Sequence, residues 1–265
     1  MDYLRGLAGV GILIGIAWLS SRNRKGVNWR LVGGGLIVHL LLGVIIIKVQ
    51  FVNTIFAWLS GMFVKVLSFS EVGTNFILGK LGHNPDFGFV FAFHVLPSIV
   101  FFAALSGLLY HMGILQFVVG LIARCFSKAM QLSGAESFSM AGNIFLGQTE
   151  APLLVKPFIG KMTKSELMCL MTGGMATISG GVLAGYVVFL GGDDIAERTR
   201  FATYLLSASF MNAPAAIIMA KILVPESEGQ FVEKKFDVVD EHRAANFIDA
   251  LARGTGDGIN MVIKI

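Results

Sequence analysis

Charge is what this sequence has least of: Asp, Glu, Lys and Arg make up 14% of its 265 residues, where a soluble domain carries roughly a quarter. So few ionised groups cannot build a water-facing shell, which excludes a single soluble globular domain. Cysteine is equally scarce. Cys125 and Cys169 have no paired spacing and no nearby histidine cluster, so neither a disulfide framework nor a metal site is expected, and both read as packing residues. The five histidines match no H-E-x-x-H pattern, and no serine, cysteine or paired aspartate stands in a nucleophile-like setting. An intramembrane enzyme built on His39, His94 or His111 with Glu150 as acid therefore lacks a motif, and the chain is read as not an enzyme. "GTGDG" at 254–258 lacks the Lys-Ser/Thr of a phosphate loop and the remaining acidic ligands of a calcium loop; it reads as a turn leading into a further span.

What is present is hydrocarbon. Apolar residues make up 55% of the chain, 22 of them Phe, and the mean hydropathy is +0.73, the composition of a polytopic membrane protein. At about 20 apolar residues per crossing, spans are expected over Tyr3–Ser20, Leu31–Phe51, Phe87–Tyr110, Leu167–Leu190 and Phe201–Val224. Met1–Ser20 has no small-x-small cleavage site before its basic loop and reads as a retained span. Val52–Phe69 alternates apolar runs with Asn53, Ser60, Lys65 and Ser68 at helical period, which suits a helix lying in the interface or packed on other spans. His94 and Pro97 mark a candidate kink.

The net charge of +4 lies in short loops between spans, a topology signal with no implication for nucleic acid. Arg22, Arg24, Lys25 and Arg30 put the first loop in the cytoplasm and the amino terminus outside. Arg124, Lys128, Lys156, Lys161, Lys164, Lys221, Lys234 and Lys235 then fall inside, and the nearly neutral loop Gly191–Arg200 falls outside. That count requires Ser133–Met162 to enter and leave on one face as a re-entrant hairpin. Residues 225–253 read as a cytoplasmic connector ending in an amphipathic helix. An apolar run begins just before Ile265 and is cut off there, the pattern of a partial sequence.

The hairpin holds the most informative stretch, "GNIFLGQTEAPLLV" at 142–155. A non-helical break at membrane depth survives only where protein buries it or a wet cavity receives it. Gly142, Asn143 and Gly147 provide the break, and Pro152 restarts a helix where its missing N–H costs little. Gln148, Thr149 and Glu150 are then shown to a cavity, and a carboxylate at that depth calls for a ligand, an ion or a donor side chain. Two plainer readings stand beside this one: Glu150 as an N-terminal cap of the second arm, and Gln148 with Thr149 as polar glue between spans. In the next span Thr172, Gly173, Gly174, Thr177, Ser179, Gly180 and Gly181 crowd the first half. Such a run suits either an unwound segment whose carbonyls bind a cation or close helix packing through Gly181 and Gly185.

"GNIFLGQTEAP" (142–152) followed by "TISGGVLAGY" (177–186) resembles the concentrative nucleoside transporters, the sodium- or proton-coupled nucleoside symporters. The similarity extends through "FHVLPSIVFFAALSGLLYHMGI" (93–114) and "SASFMNAPAAIIMAKILVPE" (207–226). The resemblance implies an all-α polytopic fold with scaffold spans, a re-entrant helical hairpin and a discontinuous span, one of two inverted repeats. It implies a homotrimer in the inner membrane of a bacterium, contacting lipid and no nucleic acid, in which a scaffold surrounds a mobile transport unit. The divisions it suggests are 1–111 for N-terminal scaffold spans and interfacial helix, 112–190 for hairpin and broken span, and 191–265 for a further span, connector and start of a truncated span. It further implies that the nucleobase is held by Gln148, Thr149 and Glu150 and touched by Val182. A coupling sodium, or a proton in its place, would use Asn143, Leu146, Thr177 and Ile178, with the Thr177 hydroxyl completing the site where many members carry Ser. Uridine, cytidine and adenosine are the implied substrates, with a lean toward pyrimidines, and no organic cofactor is implied. The family's second hairpin is not found within residues 1–265, so the chain is expected to hold the nucleobase half-site and part of the cation site. A non-transporting gate or scaffold protein of the same fold, or an inactive fragment, is the alternative.

Overall fold

The computed structural model describes residues 2–79, 90–148, 151–226 and 244–264, and among these no strand occurs. The helices are α1 (Asp2–Leu19), α2 (Trp29–Lys48), α3 (Gln50–Leu78), α4 (Phe91–His111), α5 (Ile114–Met130), α6 (Gly134–Asn143), α7 (Ala151–Leu154), α8 (Lys156–Ile159), α9 (Lys164–Ala176), α10 (Gly180–Gly191), α11 (Ile195–Leu223) and α12 (Phe247–Lys264). Among the described residues five segments are long and apolar enough to cross a membrane: α2, α3, α4, the α9–α10 stretch Lys164–Gly191, and α11. Large apolar side chains such as Leu7, Ile47, Phe76 and Phe117 point outward, which hydrocarbon tolerates and water does not. The chain is an integral, multi-pass membrane protein.

The segment expected over Val52–Phe69 proves to be part of α3, a single helix of 29 residues packed on α11 and α4. Its hydroxyls are accommodated locally: Ser60 donates to the Phe56 carbonyl at 2.7 Å and Thr74 to that of Ser70 at 2.9 Å. Such back-bonding lets a polar side chain sit in an apolar helix. Likewise α4 continues through Pro97 as one helix. Helix α5, which the sequence reading does not single out, buries Leu115, Val119, Ala123, Phe126 and Met130 along one stripe against α6.

The reading of "GTGDG" as a turn is overturned, because α12 runs through it without a break. Its glycines are where two helices meet. A Cβ on Gly254 would stand 2.7 Å from the Ala103 carbonyl oxygen, and one on Gly258 would stand 2.8 Å from the Val100 Cα. Gly107 of α4 faces the same crossing, its would-be Cβ 2.9 Å from the Ala250 oxygen. Small residues on both helices let the backbones approach, so spacing that resembles a turn here serves packing.

Two cores result. One joins α1, α2, α5, the hairpin α6–α8, α9 and the second half of α11; the other joins α3, α4, α10 and the first half of α11, with Met261 and Val262 of α12 on its edge. Helix α11 belongs to both and runs the length of the bundle.

Candidate functional site

Both ends of the hairpin are marked by reciprocal caps. The Ser133 hydroxyl accepts from the Glu136 N–H at 3.2 Å while Glu136 accepts from the Ser133 N–H at 3.3 Å. At the far side Thr163 and Glu166 repeat the pattern at 3.1 and 2.8 Å, opening α9. Each box satisfies two otherwise orphaned donors. Lys221, in the last turn of α11, pairs with Glu136 at 2.5 Å, and Thr163 donates to Glu226 just beyond α11 at 3.3 Å. The chain therefore enters and leaves the hairpin at the same end of α11, as a re-entrant segment must.

The first arm, α6, ends at Asn143; a turn follows, and Ala151 donates to the Gly147 carbonyl at 2.9 Å as α7 begins with Pro152 in its first turn. The span after the hairpin is discontinuous. Helix α9 stops at Ala176, Thr177 is extended (φ −109°, ψ 156°), and Ser179 caps α10 by accepting from the Val182 N–H at 3.4 Å. Tip and break are joined directly, the Gly180 N–H donating to the Phe145 carbonyl at 2.9 Å. Glycines allow the contact: a Cβ on Gly174 would stand 2.8 Å from the Gln148 Cβ, and one on Gly173 would stand 2.9 Å from Asn143 Nδ2. Downstream, Gly181 and Gly185 pack on Ile99 and Val95 of α4. The break and the close-packing face thus occupy consecutive parts of one span.

The residues singled out from sequence fall as follows. Asn143 is 0% exposed; its Nδ2 donates to the Leu170 carbonyl at 3.5 Å and its Oδ1 has no hydrogen-bond partner. Leu146 is buried in the tip, and Gln148 is exposed beside Gly174. Thr177 donates its hydroxyl to the Gly173 carbonyl at 2.8 Å, which leaves the oxygen able to accept. Ile178 packs on the second core, and Val182 is half-buried in the first turn of α10. Thr149 and Glu150 lie outside the described residues, as do Lys234 and Lys235.

Among the described residues no group of three or more His, Cys, Asp or Glu is arranged to hold a metal. A cation at the junction would meet amide, hydroxyl and carbonyl oxygens, the donor set of a hard cation and not of a transition metal. The buried, unpartnered Asn143 oxygen fits that chemistry, since a buried acceptor without a partner is costly.

Sequence reasoning passed over four supporting residues. Ser209 donates to the Ile144 carbonyl at 3.3 Å and Asn212 to that of Ala176 at 2.9 Å, so α11 satisfies backbone freed at both the tip and the break. The signal was there, since polar side chains inside an apolar span mark irregular neighbours. Lys221, counted from sequence as a charge on the cytoplasmic side, is in fact only 7% exposed. At the other end of α11, Arg198 is 5% exposed, pairs with Glu71 of α3 and donates to the Gly192 carbonyl. Through Glu71 and Asp193 it borders a pocket that mixes polar Ser70, Thr74, Asn75 and His94 with apolar Leu67, Phe93 and Val188.

Three family descriptions match this chain in succession: "Na+ dependent nucleoside transporter N-terminus" over residues 8–81, "Nucleoside recognition" over 92–193, and "Na+ dependent nucleoside transporter C-terminus" over 204–265. An uncharacterized transporter of Haemophilus influenzae is 39% identical over 266 residues, covering 100% of this chain and 61% of its own length. Nucleoside permease NupC of Helicobacter pylori is 35% identical, covering 98% and 60%, and human sodium/nucleoside cotransporter 1 is 36% identical, covering 100% and 39%. Among solved structures, CNTnw in an inward-facing substrate-bound state superposes with a TM-score of 0.89 at 39% identity, covering 100% of this chain and 63% of that one. The chain spans about three fifths of the length of the bacterial relatives it matches.

Proposed function

The chain belongs to the family of Na+-dependent, concentrative nucleoside transporters, and from that membership we propose that it takes part in cation-coupled symport of nucleosides, contributing the nucleobase half-site and part of the cation site. Gln148, Thr149 and Glu150 hold the base edge, with Val182 against the ring. Asn143, Leu146, Thr177 and Ile178 supply oxygens to a sodium ion. The observation that carries this reading is the junction at Phe145 and Gly180, where the hairpin tip, with its unpartnered Asn143 oxygen, abuts the broken span.

The chemistry is direct. A neutral, polar nucleoside sheds water to enter, and the Gln148 amide offers both a donor and an acceptor to replace that hydration. Sodium draws the carbonyls of tip and break together and so orders the surface that meets the base. Reciprocity then requires the nucleoside to tighten sodium by the same factor. The match of residues 92–193 to a nucleoside-recognition family supports placing the base-binding groups in this region. Residues 112–190 form the transport unit, 1–111 and 191–265 its surroundings, within a homotrimer in a bacterial inner membrane, with uridine and cytidine preferred and adenosine accepted. Proton coupling is the competing form of the same mechanism. Uptake of labelled uridine by the full-length gene product in proteoliposomes, with sodium replaced by choline and with pH varied at fixed sodium, tests the reading. Sodium-dependent uptake supports it, uptake that follows only the proton gradient replaces sodium by proton, and indifference to both overturns it.

A further inference from the structure

The proposed site lies at one end of the short helices α6 and α9; at their other ends sits a buried cluster that the transport reading leaves unused. Lys221 directs its ammonium at three acceptors on three elements: Glu136 of α6 at 2.5 Å, the Ser165 hydroxyl of α9 at 3.1 Å, and Glu226 beyond α11 at 3.2 Å. Two of these contacts are hydrogen bonds, to Ser165 and Glu226, and the third is an ion pair with Glu136. Glu166, Thr163 and Cys169 surround the cluster, and Glu136, Ser165 and Glu166 are each no more than 3% exposed.

Geometry connects this cluster to the tip. Glu136 and Asn143 are separated by about two turns, or about 10 Å, on the same face of α6. Ser165 and Thr172 stand in the same relation on α9. At the cluster a single lysine bridges the two helices, which also pack on each other; at the tip their register decides how Asn143 meets Gly173 and Leu170. A buried ion pair contributes little net stability compared with apolar residues of similar volume. What a charge with directed partners does contribute is one particular arrangement of the elements it joins.

We propose that Lys221 is a positioning residue for the cation site: through Glu136 and Ser165 it sets the register of α6 against α9, and so the placement of the Asn143 oxygen at the broken span. This rests on the transport reading above, and the experiment separates the two. In the full-length gene product, the sodium concentration giving half-maximal uridine uptake is measured with the uridine KM at saturating sodium and the melting temperature. Lys221→Met is expected to raise the sodium requirement by about tenfold, with the uridine KM at saturating sodium changed by less than about twofold.

Glu136→Gln combined with Lys221→Met removes the unpaired buried carboxylate, so the melting temperature recovers while the sodium requirement stays raised. A merely structural lysine would restore both together, and that result overturns the proposal. So does an unchanged sodium requirement in either folded variant. Where Lys221→Met alone is not recovered, the double variant and Ser165→Ala, which leaves no charge unpaired, supply the reading; Ser165→Ala is expected to raise the sodium requirement by about threefold. A wild-type protein whose uridine uptake follows the proton gradient and not sodium overturns the role of Lys221 in a sodium site while leaving transport in place, and uptake indifferent to both sodium and pH overturns the transport reading itself.

Discussion

Gly180 donates its backbone N–H to the carbonyl of Phe145 at 2.9 Å, so the start of α10 and the tip of the hairpin share one hydrogen bond. A Cβ at Gly180 would stand 2.9 Å from that same carbonyl oxygen and collide with the Phe102 ring of α4. Gly180→Ala is therefore expected to destabilise the protein by about 1–3 kcal/mol, the range for forcing a methyl group into a packed interior. Thermal melting in detergent measures it; an unchanged melting temperature would show that the junction is looser than this hydrogen bond implies.

Asn143 carries a buried side-chain oxygen at the junction that lacks a hydrogen-bond partner. Asn143→Ala removes it together with a long bond to Leu170 at 3.5 Å. Loss of that bond should cost about 1 kcal/mol, while the sodium stimulation of uridine uptake is expected to fall by about tenfold or more. Retention of full sodium stimulation would remove Asn143 from the cation site.

The crossing of α4 and α12 gives a paired test. Gly254→Val pushes a branched side chain into the Ala103 carbonyl and should lower the melting temperature by an amount corresponding to about 3 kcal/mol. Gly256 has open space where its Cβ would be, so Gly256→Ala in the same helix should stabilise by about 0.8 kcal/mol, the helix-propensity difference alone. If the two substitutions behave alike, the glycines do not serve as a packing face.

Much of this arrangement was legible in the sequence, and the reasons are physical. The hairpin announced itself because Gly142, Gly147, Gln148, Glu150 and Pro152 break both the helical and the apolar pattern at once. The broken span was signalled by Thr177, Ser179 and paired glycines. By contrast, Gly254, Gly256 and Gly258 produce the same local pattern whether they turn a chain or let helices touch, and only the partner α4 decides between the two. The partners of Lys221 were not legible for a related reason: a lysine at the end of a span signals which side it lies on, and only the packing of α6 and α9 brings Glu136 and Ser165 to it. The spacings Ser133-x-x-Glu136 and Thr163-x-x-Glu166 were readable as capping boxes and would have fixed both ends of the hairpin.

Gln131, between α5 and the hairpin, adopts a left-handed conformation (φ 54°, ψ 41°) that glycine reaches without a Cβ penalty. Gln131→Gly is expected to stabilise by about 1 kcal/mol, with sodium-dependent uptake unchanged. A loss of stability would mean that the glutamine side chain contributes more than its backbone costs.

Sodium and nucleoside are expected to meet at the hairpin and the broken span. Equilibrium binding of labelled uridine to the purified full-length gene product, titrated in sodium and again in choline, tests this most directly. The prediction is an affinity for uridine that rises with sodium and a matching rise in sodium affinity when uridine is present. Equal uridine affinity in the two salts at every pH would contradict it.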